Sequence, residues 1–141
     1  MAQIHHSKKA PVPVGPYPHA RRVGDFIFVS GMGPRQPGQK EIPGVQLGAK
    51  GEILSYDVAV QTHAVMKNIQ VILEEMGASL KEVVDITVFL TNMKADFSTF
   101  NKIYGEYFDS NGPTRTTVEV GSLPTPIAVE LKVIAHVPLH S

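Results

Sequence analysis

The chain has 141 residues, of which 43% are apolar and 18% are charged, a composition typical of a globular domain with a sizeable core. Its 13 Lys and Arg residues balance its 13 Asp and Glu residues, so no net charge attracts it to nucleic acid or to a membrane surface. The absence of cysteine excludes disulfides, thiolate nucleophiles and cysteine-based metal sites. No stretch is long and apolar enough for a signal peptide or a membrane span, so we expect a single cytoplasmic domain spanning residues 1–141.

The N-terminal segment, residues 1–18, contains four prolines between Pro11 and Pro18. Proline fixes its own backbone and restricts the residue before it, so this segment is predicted to follow an extended or turning path without regular structure. It ends in Gly15-Pro16-Tyr17, which places an aromatic hydroxyl on a stiff loop.

Residues 20–31 predict a β-hairpin, because two runs of strand-forming residues flank the dipeptide Gly24-Asp25. The second strand ends in Ser30-Gly31, where a hydroxyl and accessible backbone could contact a ligand. Residues 32–55 are rich in glycine and proline and show no periodicity, which predicts a long loop that carries Arg35.

Residues 55–76 predict an amphipathic α-helix with a structural role. Ser55 or Asp57 could cap its start, and Gly77 is suited to its left-handed end. A capping box from Ser79 to Glu82 predicts one further short turn. The residues predicted to share the apolar face of the helix are Val58, Thr62, Val65, Ile69, Ile72, Leu73 and Met76, with Gln61 mostly opposite.

Residues 83–90 alternate as a strand does, which places Val84, Ile86, Val88 and Leu90 on one face. Asp96 is then positioned to cap a second helix that ends near Phe108. Asn101 lies beside the apolar stripe of this helix, with its amide free to donate and accept hydrogen bonds. The stripe consists of Phe97, Phe100, Tyr104, Tyr107 and Phe108.

Two further strands, residues 114–120 and 128–137, each carry an ionisable residue at an alternating polar position, Arg115 and Glu130. A guanidinium and a carboxylate on neighbouring strands could hold a small carboxylate and activate a water beside it. Two exposed strand charges would explain the same pattern, and periodicity alone favours that simpler explanation.

The order of hairpin, helix, strand, helix and two strands predicts an α+β fold, with a mixed, mostly antiparallel sheet and both helices on one face. The other face of the sheet then needs a cover, which a partner subunit would provide. The six histidines lack the spacing of a metal site, and neither a phosphate-binding loop nor a nucleophile elbow is present, so we expect no metal.

Motifs distributed along almost the whole chain resemble those of the RidA (YjgF) family. Within that family, the sequence is most similar to the 2-aminomuconate deaminases, on the evidence of residues 9–21, 31–38 and 123–130. The family motifs are Gly15-Pro16-Tyr17, Val29-Ser30-Gly31, Asp96-Phe97 with Asn101 and Tyr104, the run from Pro113 through Arg115 to Val120, and Leu123-Pro124 before Val129-Glu130-Leu131.

This resemblance implies a chorismate-mutase-like fold and a homotrimer with clefts between its subunits, and pairing of trimers into hexamers is left open. It also implies hydrolysis of enamines or imines, with release of ammonia and no cofactor. Arg115 would bind the carboxylate of a small-molecule substrate, and Glu130 would position or polarise the attacking water. The residues that would line the cleft or orient the water are Tyr17, Ser30, Gly31, Asn101 and Tyr104.

Departures from the smaller family members favour a larger substrate. The loop at residues 32–55 is longer, Thr117 replaces a common cysteine or serine, and His19 replaces a common glutamine. A conjugated enamine with two carboxylates, such as 2-aminomuconate, would then need a second anion-binding group, for which Arg35, His19 and Arg22 are candidates. Two alternatives remain: a broad deaminase of 2-iminobutanoate and 2-iminopropanoate, and a non-catalytic trimer that binds small acids.

Overall fold

The computed structural model describes residues 2–139, so residues 1, 140 and 141 of the predicted domain lie outside the described part. Its helices are α1 (Val58–Glu75) and α2 (Met93–Phe108), and a short 3₁₀ turn (Leu80–Glu82) follows α1. The strands are β1 (Ala2–His5), β2 (Ala20–Val23), β3 (Phe26–Met32), β4 (Val45–Leu47), β5 (Ile53–Tyr56), β6 (Val83–Leu90), β7 (Thr114–Glu119) and β8 (Val129–His136).

The main sheet of the described chain has six strands in the order β1-β2-β3-β8-β6-β7. All neighbours are antiparallel except β6 and β7, which run parallel because α2 connects them as a crossover. The predicted hairpin of β2 and β3 is confirmed, and Gly24 in its turn has a φ of 57°, which glycine adopts without steric cost. The α+β class and the mixed sheet are therefore as predicted.

Both helices pack on one face of the sheet and form the core with it. The face is lined by alternating residues of the central strands, which explains why every second side chain of β8 is buried. The predicted capping box at Ser79 and Glu82 is present, and Asp57 rather than Ser55 caps α1. Core residues from the helices include Val65, Met66, Ile69, Leu73, Phe100 and Phe108, and those from the sheet include Ile27, Val29, Ile86, Val88, Leu131 and Val133.

The opposite face of the sheet is exposed in the single chain and partly apolar. Phe26 and Phe28 of β3 are 42% and 38% exposed, and Val23 and Val118 on flanking strands are similarly open to solvent. An apolar sheet face of this kind is typical of a surface that another protein covers. It is the face for which the sequence predicted a partner subunit.

Two segments predicted to lack regular structure contain strands. Strand β1 pairs antiparallel with β2, because its residues precede the first proline and keep their N–H groups for the ladder. The long loop contains the separate hairpin of β4 and β5, whose residues are mostly exposed and so carry no burial pattern. In both cases the prediction was wrong about the local structure.

Three positional predictions were also wrong. Gln61 is fully buried rather than solvent-facing, because its amide makes hydrogen bonds inside the molecule. A register shift between Val83 and Asp85 turns Val83 into the core and leaves Val84 exposed. Asn92 caps α2, and Asp96 is instead buried in the first turn of that helix.

Asp96 accepts a hydrogen bond of 2.6 Å from the hydroxyl of Tyr56. Burial and this bond to Asp96 raise the pKa of the Tyr56 hydroxyl to about 12. The contact attaches the β4–β5 hairpin to α2. Neither helix in residues 2–139 is long and apolar enough to cross a membrane.

Candidate active site

A cavity lies where the N-terminal segment, the end of β3 and the loop before β8 meet. Six of the nine predicted site residues line it, namely Tyr17, His19, Ser30, Gly31, Arg35 and Glu130. The remaining cavity wall is largely apolar and includes Pro11, Met32 and Ile127. A concave site with a few convergent polar groups in an apolar wall is the usual form of a small-molecule site.

Glu130 is the acidic residue of this cavity. It lies on β8, and its half-buried carboxyl group has a pKa raised above the ordinary value of 4.5, because burial disfavours the charged form. The carboxyl group lies against the backbone of Gly31, where a Cβ atom would come within 3.0 Å of Glu130 Cδ. Glycine at this position therefore allows the carboxyl group to occupy the end of β3.

Ser30 and Tyr17 hold the chain around Glu130. The register of β3 against β8 shifts between Val29 and Met32, so Ser30 and Gly31 leave the regular ladder. The Ser30 hydroxyl donates to the carbonyl of Pro18 at 2.8 Å. The Tyr17 hydroxyl accepts from the backbone N–H of Val14 at 3.3 Å. The Ser30 bond connects the end of β3 to the N-terminal segment, and the Tyr17 bond closes a turn within that segment.

His19 is buried, and backbone groups occupy both of its ring nitrogens. Its Nδ1 accepts from the N–H of Ser7 at 2.9 Å, so Nε2 carries the proton and donates to the carbonyl of Pro11 at 2.7 Å. No ring nitrogen is left to bind a second carboxylate. The residue instead holds the N-terminal segment against the cavity.

Arg35 and Arg22 differ in what their guanidinium groups contact. Arg35 Nη2 donates to the carbonyl of Val12 at 2.7 Å across the cavity rim, and the other N–H groups of its guanidinium remain for a ligand. Arg22 Nη1 donates to the carbonyls of Gly24 and Val137, both at 3.0 Å, and is not part of the cavity wall. Of the three candidates for a second anion-binding group, Arg35 is the one that lines the cavity and has further N–H groups beyond its contact with backbone.

Arg115, Asn101 and Tyr104 form a second cluster outside this cavity. Arg115 Nη2 donates to Asn101 Oδ1 at 2.7 Å, and Arg115 Cζ lies 4.6 Å from the ring centroid of Tyr104. Phe97 and Phe100 complete an aromatic surround for the guanidinium. Burial raises the pKa of the Tyr104 hydroxyl, and the charge of Arg115 opposes this shift.

The half-buried guanidinium of Arg115 has no carboxylate partner within salt-bridge distance in residues 2–139. A cation held by an amide and aromatic rings, without an acidic partner, is suited to bind an anionic ligand. The proposal that Arg115 and Glu130 lie on neighbouring strands was wrong, because β6 separates β7 from β8.

Two buried amides on α1 were missed as residues of the site region. Gln61 Oε1 accepts from the N–H of Ala128 at 2.8 Å, and its Nε2 donates to the carbonyl of Gly44 at 3.3 Å. Asn68 holds the backbone of Gly33 and Arg35. Residues 61, 65, 68 and 72 share one helix face, so two amides within an apolar stripe were the signal available in the sequence.

No group of three His, Asp or Glu side chains in residues 2–139 comes close enough together to hold a metal ion. The cavity and the second cluster together contain one carboxyl group, that of Glu130, and two guanidinium groups, those of Arg35 and Arg115.

Comparison with known proteins identifies the family. A RutC family protein of Pyrococcus abyssi is 42% identical over 134 residues, which cover 95% of this chain and 96% of that protein. The solved structure of YyfA from Yersinia pestis, of the conserved Rid protein family, is 33% identical with a TM-score of 0.80 and covers 97% of this chain and 100% of that chain.

The structure of TdcF from E. coli with bound serine is 31% identical with a TM-score of 0.80, and the match covers 95% of this chain and 98% of that chain. Residues 7–137 match the family described as Endoribonuclease L-PSP. The chain therefore belongs to the Endoribonuclease L-PSP family, the RidA (YjgF) family that its motifs resemble.

Proposed function

We propose that this protein is a cofactor-independent deaminase that hydrolyses an enamine or imine of a small carboxylic acid and releases ammonia. The observation that carries the proposal is Glu130, an acidic group with a raised pKa in a mostly apolar cavity, and in this proposal it exchanges protons with the attacking water. The natural substrate we infer is 2-aminomuconate, which would yield 4-oxalocrotonate.

The chemistry requires one proton acceptor and no electrophilic catalyst. A proton from solvent adds to the enamine carbon and gives a protonated imine, whose carbon is electrophilic. Water adds to that carbon while Glu130 accepts a proton from it, and a carbinolamine forms. Glu130 then returns the proton to nitrogen, the C–N bond breaks and ammonia leaves, while the hydroxyl group loses its proton to solvent and becomes the carbonyl. Such acid–base catalysis contributes about 10²–10⁴-fold to a rate.

The carboxylate of the substrate needs a cation, and Arg115 supplies it in this proposal. Arg115 and the cavity of Glu130 belong to separate clusters in one chain, so we infer that Arg115 of one copy completes the cavity of another. The exposed apolar face of the sheet supports association of copies, and a trimer would create three equivalent sites. Serine bound to the similar protein TdcF is itself a small carboxylate.

A second carboxylate distinguishes 2-aminomuconate from the short imino acids. Arg35 reaches the cavity rim and has N–H groups in addition to the one that contacts Val12. Arginine binds carboxylates in a bidentate manner, which would orient the conjugated chain between Arg115 and Arg35. This assignment supports the dicarboxylate over 2-iminobutanoate or 2-iminopropanoate.

The test is ammonia release from freshly generated 2-aminomuconate and 2-iminopropanoate, measured side by side with the wild type and with Glu130→Gln. We expect faster release from 2-aminomuconate and loss of release in the variant. Faster turnover of 2-iminopropanoate would identify a broad imine deaminase instead. No ammonia from either substrate, with carboxylate binding retained, would identify a non-catalytic small-acid-binding protein.

A further inference from the structure

Asn68 is a buried polar residue whose three hydrogen bonds all reach one short segment of the cavity wall. It lies on α1 and is 2% exposed. Its Nδ2 donates to the carbonyl of Gly33 at 2.9 Å and to the carbonyl of Arg35 at 2.8 Å. Its Oδ1 accepts from Nε2 of Gln36 at 3.3 Å. The side chain amide thus joins α1 to residues 33–36.

Gln36 closes this network on the same segment. Its Nε2 also lies 3.0 Å and 3.1 Å from the carbonyl oxygens of Pro34 and Arg35, so its two N–H groups are shared among three acceptors. The carbonyl of Arg35 therefore receives N–H donors from two side chains, one of them fixed on a helix. A network in which buried polar groups satisfy each other is rigid, and loss of one member leaves its partners without hydrogen bonds.

The segment ends at Arg35, and the guanidinium of that residue reaches the carbonyl of Val12 on the other side of the cavity rim. An arginine side chain has several rotatable bonds, so its head group is held in one place only if its backbone and its terminal contact are both fixed. Asn68 fixes the backbone end, and Val12 fixes the guanidinium end.

We propose that Asn68 is a positioning residue for substrate specificity, which holds residues 33–36 so that Arg35 is directed at the second acidic group of a dicarboxylate. This inference rests on the proposed function for the identity of the ligand. Asn68 itself lies behind the cavity wall and touches no substrate. Its effect is confined to ligands that have a second carboxylate for Arg35 to bind.

The experiment measures binding by calorimetry with two probes that share a six-carbon diene skeleton. The probe cis,cis-muconate has two carboxylates, and sorbate has one. We expect the wild type to prefer muconate, and Asn68→Asp to reduce that preference about tenfold while sorbate affinity stays unchanged. The carboxyl group introduced by Asn68→Asp has no N–H donors. It would face the carbonyl oxygens of Gly33 and Arg35 without a hydrogen bond to either.

The matched control is Asn111→Asp. Asn111 Nδ2 also donates to two backbone carbonyls, those of Leu80 and Val83, both at 3.1 Å, but it lies outside the cavity wall. We expect the control variant to keep the wild-type preference for muconate. Asn68→Asp in an Arg35→Ala background should have no further effect on the preference, because Asn68 acts through Arg35.

Equal weakening of both probes by Asn68→Asp, or a wild type without preference for muconate, would overturn the inference. If Asn68→Asp does not fold, Asn68→Ser replaces it, and failure of both variants to fold would assign Asn68 a structural role only. The calorimetry measures binding without turnover. Absence of ammonia release would therefore count against the proposed reaction, and the binding result for Asn68 would still hold.

Discussion

Arg115 and Glu130 lie on opposite faces of the sheet. Ile86 of β6 pairs with Arg115 on one side and with Val133 on the other, which places Arg115 on the face that the helices cover. Phe89, three residues further along β6, pairs with Glu130 and faces the other way. One chain therefore cannot bring the guanidinium and the carboxyl group to the same substrate. A site that uses both must form between copies.

Mixed oligomers test directly whether the site is shared between two copies of the chain. Arg115→Ala and Glu130→Gln should each be inactive alone, and subunits mixed by unfolding and refolding together should recover activity. If each site takes Arg115 from one copy and Glu130 from another, random mixing restores roughly one quarter of the sites. Ammonia release from the mixture measures this fraction. Recovery of no activity from a correctly assembled mixture would argue against shared sites.

Glu130→Gln should separate activity from stability. The variant keeps the shape of the side chain but removes the proton acceptor, so turnover should fall about 10²–10⁴-fold. Burial disfavours the ionised carboxyl group, so the melting temperature at neutral pH should stay the same or rise. Thermal unfolding and ammonia release of the same preparation provide the two measurements. A clear fall in melting temperature would show that the carboxyl group has a structural role.

The pH dependence of activity should report the raised pKa of Glu130. Only the ionised form accepts a proton from water, so kcat/KM should fall as the pH drops through this pKa. Because burial raises the pKa, the acidic limb should lie above the ordinary value of 4.5. The same shift means that the folded protein binds a proton more tightly than the unfolded chain, so Glu130 lowers stability as the pH rises through this window. A limb at or below 4.5 would contradict this role.

Gly31→Ala should reduce activity through Glu130. The added methyl group would collide with the carboxyl group, which must then move away from the end of β3. Displacement of a reacting group by about 1 Å costs roughly 10²-fold in rate, and we expect a loss of that order in kcat. Gly105→Ala on α2 is the control, because the added Cβ would meet no atom within 4 Å apart from its chain neighbours and the backbone of its own helix. Wild-type turnover by Gly31→Ala would show that the contact is unimportant for catalysis.

Arg35→Ala should raise the KM for the dicarboxylate about tenfold and leave the KM for 2-iminopropanoate unchanged, since only the larger substrate has a second carboxylate. Arg22→Ala is the comparison variant. Its guanidinium binds the hairpin turn and the end of β8, so its loss should lower the melting temperature without changing substrate preference. Equal changes in KM for both substrates would show that Arg35 does not determine the substrate preference.

Local patterns predicted much of the fold because they depend on neighbours in sequence. The dipeptide Gly24-Asp25 predicted its hairpin, and the spacing of Val65, Ile69 and Ile72 predicted α1. Strand β1 was missed because a short edge strand is stabilised by pairing with β2, a contact that no local pattern encodes. The amides of Gln61 and Asn68 were missed because their partners are backbone groups of distant segments.

The sequence by itself determined the residue types of the candidate site, the alternation that separates Arg115 from Thr116 and Val118, and the family motifs around Tyr17, Ser30 and Glu130. Only the tertiary structure decided how these residues are grouped. Strand β8 inserts between β3 and β6, which places Glu130 beside Gly31 and leaves Arg115 two strands away on the other face. Strand order depends on which long-range pairings together bury the most apolar surface. The periodicity of a single strand does not specify which strands lie beside it.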